Sequence, residues 1–228
     1  MGGFIRSSLF YGAGHQQVYE ALRDFWEAED YRLADASPVE DAFTLHQTRD
    51  AWTALNWTRG WEWDLRRRAQ FHVSGVLDCP GLLTFMYDGD NWGYELFHHG
   101  TPIDQFLQWA VPGQQYFSSG SVQGNPALVV AQFPMLNLDL DHARGYLTSV
   151  DVADPAYEDF DFESDDPRNR RVRAGDWWGR LEAEVMFDFW RFLGVEPAPP
   201  DGKYLFPAPG LFEAPAWRRF TTQRAELL

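Results

Sequence analysis

The chain has 228 residues, of which 45% are hydrophobic and 17% aromatic, enough to bury one core without disulfide staples. Its formal net charge of -15 argues against a nucleic-acid backbone or an anionic membrane as partner, because both are held by clustered Lys and Arg. Cys79 is the single cysteine, so an intrachain disulfide and a thiolate metal cluster are excluded.

The opening residues lack a basic region followed by a long apolar stretch, and no window approaches a membrane span. A cytoplasmic location is the expectation. The 11 tryptophans are bulky and polar-edged, so several are expected to be half exposed, on a partner surface or in a pocket.

In chain order, FIRSSLF at 4–10 reads as a strand and GAG at 12–14 breaks it. HQQVYEALRDFWEAE at 15–29 reads as a helix, with Val18, Leu22, Phe25 and Trp26 on one face. After a turn-rich break at 35–41, segments 43–50 and 51–57 read as extended. A second helix is predicted over 60–77, with Leu65, Ala69 and Val73 in its stripe and Arg66, Arg67 and Arg68 fanning out beside it.

Strands at 82–87, 92–98 and 103–109 form a predicted antiparallel meander. The polar stretch 112–126 reads as a loop, 127–133 as a strand or helical turn, and 140–147 as a weak helix. Residues 151–166 hold eight acids and no base, and four arginines follow at 168–173. The strongest predicted helix is 176–194, with Asp176 as its cap and Gly194 as its stop. From 195 the tail is proline-punctuated and expected to pack along the surface. The sum is a single α+β domain over 1–228: an antiparallel sheet packed against helices 15–29, 60–77 and 176–193.

No metal, phosphate-loop or nucleophile motif is present, so the expectation is no catalytic residue, no metal and no cofactor. Two groups of residues still merit attention. Tyr157, Glu158, Asp159, Phe160, Asp161 and Phe162 interleave rings with acids, a pattern suited to gripping a basic protein. The competing reading is a solvated loop with a few core anchors, on which the nearby arginines fold back.

The second group is Asp88, Asp90, Glu95, His98 and His99, in and after YDGDNWGYELFHHG. Asp88 and Asp90 on one extended face can bind a divalent cation or raise one another's pKa, but DG and GD are also turn formers. His98 and His99 are adjacent, and within a strand they would point to opposite faces and not easily share one ion, though distant residues could complete a site after folding.

Asp90, Tyr94, Leu96, Gly100 and Asp104 stand in an order that resembles a group of uncharacterised small acidic bacterial α+β proteins. Some of those look like immunity or accessory partners encoded near toxins. The resemblance covers residues 43–117 and implies no catalytic residues. The leading expectation is a non-enzymatic, immunity-like protein that binds a basic protein. The alternative is an enzyme or small-ligand binder with a carboxylate, histidine and aromatic pocket.

Overall fold

A computed structural model of the chain describes residues 5–29, 32–33, 43–47, 51–57, 63–87, 90–110, 122–151, 153–160, 166–195 and 217–218. The elements are β1 Ile5–Tyr11, α1 His15–Ala28, β2 Arg32–Leu33, β3 Phe43–Gln47, β4 Trp52–Trp57, α2 Trp63–Leu77, β5 Gly81–Tyr87, β6 Asn91–His98, β7 Thr101–Leu107, β8 Trp109–Ala110, α3 Pro126–Gln132, α4 Leu140–Tyr146, β9 Val150–Asp151, α5 Val185–Phe192 and β10 Trp217–Arg218. The fold is α+β, as the sequence predicts. Six antiparallel strands in the order β3-β4-β1-β5-β6-β7 make the sheet, and β5, β6 and β7 are the expected meander.

The sheet is covered on both faces, which follows from the two-residue alternation of its strands. Leu9, Trp52, Leu82, Trp92, Tyr94, Leu96 and Phe106 pack with α3, α4 and α5. Phe10, Leu55, Trp57, Leu83 and Phe97 pack with α1 and α2. Tryptophan is more buried than its chemistry suggests. Trp26, Trp52, Trp57, Trp92 and Trp190 lie in the core, while Trp109, Trp177 and Trp178 are half buried. Trp52 Nε1–H donates to the Leu193 carbonyl at 2.7 Å and Trp57 to Ser8 Oγ at 2.8 Å, whereas Trp92 and Trp190 bury theirs with no acceptor among the described residues, so ring packing outweighs the polar edge there.

Helix ends follow local chemistry. Asn125 accepts from the Leu128 N–H ahead of α3, and Asp139 from the His142 N–H ahead of α4. Gly194, at φ 79°, stops α5 as predicted. The helix predicted over 176–194 is otherwise cut to Val185–Phe192. Two backbone donors that a helix starting at Asp176 would use go outside it: the Arg180 N–H donates to the Arg170 carbonyl at 3.1 Å and the Leu181 N–H to Asn169 Oδ1 at 2.9 Å, while Asp188 and Glu182 accept from the N–H groups of Trp177, Trp178 and Gly179 ahead of α5. Asp176 instead closes the Arg173–Asp176 turn and accepts the Tyr146 hydroxyl at 2.8 Å.

The three arginines of α2 do not simply fan out. Arg66 is fully buried, Arg67 pairs with Glu95 and Arg68 pairs with Glu29. Of the tail, Val195 and Trp217–Arg218 are described: Val195 is buried in the core and Trp217–Arg218 pairs with Arg32–Leu33; the rest of the expected surface packing lies outside the described residues.

Register between β5 and β6 is fixed by two reciprocal glycine–phenylalanine pairs, Gly81 opposite Phe97 and Phe85 opposite Gly93. A methyl on Gly81 would meet the Leu9 carbonyl oxygen at 2.3 Å and the Phe97 ring at 2.5 Å, and one on Gly93 the Phe106 carbonyl oxygen at 2.4 Å and the Phe85 ring at 2.6 Å. Each glycine is the space in which the opposite ring lies. Gly81→Ala and Gly93→Ala are each expected to cost about 1–3 kcal/mol by overpacking. Urea denaturation checks this, and a loss near zero in both variants would contradict it.

Candidate metal centre

The end of α2 and the β6–β7 turn meet because β5 returns antiparallel along β6. Gly81 at the start of β5 pairs with Phe97 near the end of β6, so Asp78, just before β5, falls beside residues that close β6. Two backbone features seat it. Asp78 leaves the helix at φ 51°, a left-handed conformation that aspartate tolerates better than most residues. Across from it, His99 and Gly100 have φ 51° and 73°, the mark of a type I′ hairpin turn between His98 and Thr101.

The helix and the turn touch through backbone. A methyl on Gly100 would lie 3.3 Å from the Gly75 Cα and 3.0 Å from the Phe71 carbonyl oxygen. Ser74 Oγ–H donates to the Cys79 carbonyl at 2.7 Å and accepts the Gly100 N–H at 3.2 Å, tying both sides together.

The turn corrects the expectation for the histidine pair. His99 is outside the strand, so the alternation of faces no longer applies. The two imidazoles stack at 3.8 Å between centroids with 13° between planes. His99 Nδ1 also contacts Asp78 Oδ1 directly. One donor atom from each of Asp78, His98 and His99 lies within 4.8 Å of the others, and among the described residues this is the one such cluster of three. Donors around a tetrahedral zinc ion stand about 3.4 Å apart for 2.0–2.1 Å bonds, so these three lie near that spacing, and the stacked imidazoles would rotate to aim their in-plane lone pairs at a common ion. The site faces water: the side chains of Asp78 and His99 are 71% and 67% exposed, and His98 is half buried.

The other predicted pocket residues lie elsewhere. Asp90 is exposed at the far end of β6, eight residues from His98 or roughly 26 Å along a strand. Its N–H donates to the Tyr87 carbonyl at 3.0 Å, the hydrogen bond of a turn. Asp88 lies outside the described residues. Glu95 is buried against α2, where Arg67 grips it with two bonds of 2.6 and 2.8 Å. It is a structural partner of the helix.

Asp78 is the residue that sequence reasoning missed. The signal was present: in a meander, the residue ahead of strand 82–87 must sit beside the residues that follow strand 92–98. Cys79 is buried, and burial, with the Asp78 charge adding to it, pushes its thiol up to about 12.

The acidic, aromatic segment is largely engaged with its own chain. Tyr157 and Phe160 pack around Trp109 at 5.9 and 5.8 Å, and Arg168 lies over both rings at 5.8 and 5.4 Å. Arg168 also bonds Asp159 and Asp166 at 2.9 Å. Glu158 and Asp159 are exposed, and Asp161 and Phe162 lie outside the described residues.

Burial raises the carboxyl pKa of Glu95, Asp104, Glu184 and Asp188; Arg67 pulls Glu95 partly back, and the Tyr94 hydroxyl does the same for Asp104. A raised pKa means that the folded chain binds more protons than the unfolded one just above the ordinary carboxylate range. Stability therefore falls as pH rises through that window. Asp166, held low by its bonds to Arg168, acts in the opposite sense and below that range. Denaturation midpoints across the weakly acidic range are expected to decline with pH, and less steeply in Glu95→Gln; a flat or rising profile would contradict this. Glu95→Ala is expected to cost about 3 kcal/mol, because it leaves Arg67 without its buried partner.

Comparison with known proteins gives no matching family model, no matching curated protein and no matching solved structure.

Proposed function

We propose that this chain is a small-ligand-binding protein whose ligand is a divalent metal cation, held by Asp78, His98 and His99. The observation that carries this reading is the convergence of one carboxylate and two imidazoles within 4.8 Å of each other, on a turn locked to the end of α2. Imidazole donors favour zinc, copper, nickel or cobalt, whereas magnesium and calcium prefer all-oxygen sites. The net charge of -15 draws cations toward the surface. In isothermal titration, chelator-treated protein is expected to take up one zinc ion per chain. His99→Asn, which keeps a residue that accepts the left-handed turn, is expected to weaken uptake at least tenfold, as is His98→Ala. Equal uptake by the parent chain and both variants would overturn the reading.

A second reading, an immunity-like protein that grips a basic partner, rests on the exposed carboxylates of Asp154, Glu158 and Asp159 beside half-buried rings. It is weaker because Arg168 already occupies the acid-and-ring surface that such a partner would use. Low-salt affinity capture followed by co-elution tests it. A basic protein retained by the parent chain and released by Glu158→Lys supports it; retention that ignores this charge reversal, or no retention, rules it out.

A further inference from the structure

We infer that the cation held by Asp78, His98 and His99 keeps at least one coordination position open to a small anionic donor, an inference that rests on the cation reading above. Among the described residues three donors converge, and zinc-class ions take four or more. Among the described residues no further His, Cys, Asp or Glu joins the cluster. The adjacent Cys79 is buried, and its carbonyl already accepts from Ser74.

On the inner side of the site Gly75 and Gly100 face each other so closely that a methyl on either would meet the other's backbone, at 3.5 and 3.3 Å. The outer side is the one left to water, as the exposure of Asp78 and His99 at 71% and 67% shows. Open positions therefore point outward, where an exogenous ligand can reach them. Charge selects its class. One carboxylate and two neutral imidazoles leave a divalent ion with a residual single positive charge, which suits a small monoanion. Large polyanions are repelled by the surrounding protein at a net charge of -15. Three protein ligands with an exchangeable fourth position is the arrangement of sites that bind or activate a ligand, whereas purely structural sites are closed by four protein ligands.

The test uses the full chain loaded with cobalt(II), whose visible bands report coordination number and donor set, and titrates it with azide. The expected result is stoichiometric loading followed by a saturable change in band position and intensity as azide binds. His99→Asn is expected to lose both cobalt loading and the azide response. A chain that loads cobalt one-to-one yet shows no spectral change with azide has a closed coordination sphere; that overturns the open position and leaves the cation reading standing. Failure to load cobalt at all overturns both.

Discussion

The pairing of β5 with β6 is the constraint on which both the core and the candidate site depend. Its two glycine–phenylalanine pairs allow one register, because each ring needs the absent side chain opposite it. A slip by one residue would set Phe97 and Phe85 against neighbours with side chains and turn Tyr94 and Leu96 away from the core they share with Trp92 and Phe106. The same slip would move His98 and His99 along the sheet and away from Asp78. Register, a property of packing, thus sets the distance between the carboxylate and the imidazoles.

The second requirement is close approach of backbone to backbone. Gly75 on α2 and Gly100 in the turn allow the helix and hairpin to touch, and Ser74 bonds to both sides of the junction. Two residues other than glycine, Asp78 and His99, occupy the left-handed region within this junction. Such conformations are tolerated where the surroundings over-determine them, and they concentrate at binding and catalytic sites. Here the consequence is geometric: both side chains leave the junction toward water, and the stacked imidazoles have to rotate apart before they and Asp78 can meet one ion.

Much of the architecture was legible from periodicity. The first helix, the meander and the stop at Gly194 are all present, because hydrophobic spacing and glycine conformation act locally. The long helix expected from Asp176 failed for a reason no periodicity contains: the segment at 169–170 takes the Arg180 and Leu181 backbone donors, through the Arg170 carbonyl and Asn169 Oδ1. The burial of Arg66 and the pairing of Arg67 with Glu95 were equally hidden, since charge alone says surface while α2 packing decides otherwise. Two of the three candidate ligands were visible as a histidine pair. The strand rule then counted against the pair sharing one ion, because it was applied one residue past the end of the strand. Asp78 required the topology as well as the local pattern.

The central claim is that one cation sits between Asp78, His98 and His99. A crystal of the full chain grown with zinc, measured on both sides of the zinc absorption edge, tests it directly. The account predicts one strong anomalous peak within about 2.0–2.2 Å of a carboxylate oxygen of Asp78 and one nitrogen of each imidazole. A zinc-containing crystal with no peak at that junction, or with its strongest peak elsewhere on the chain, would contradict it.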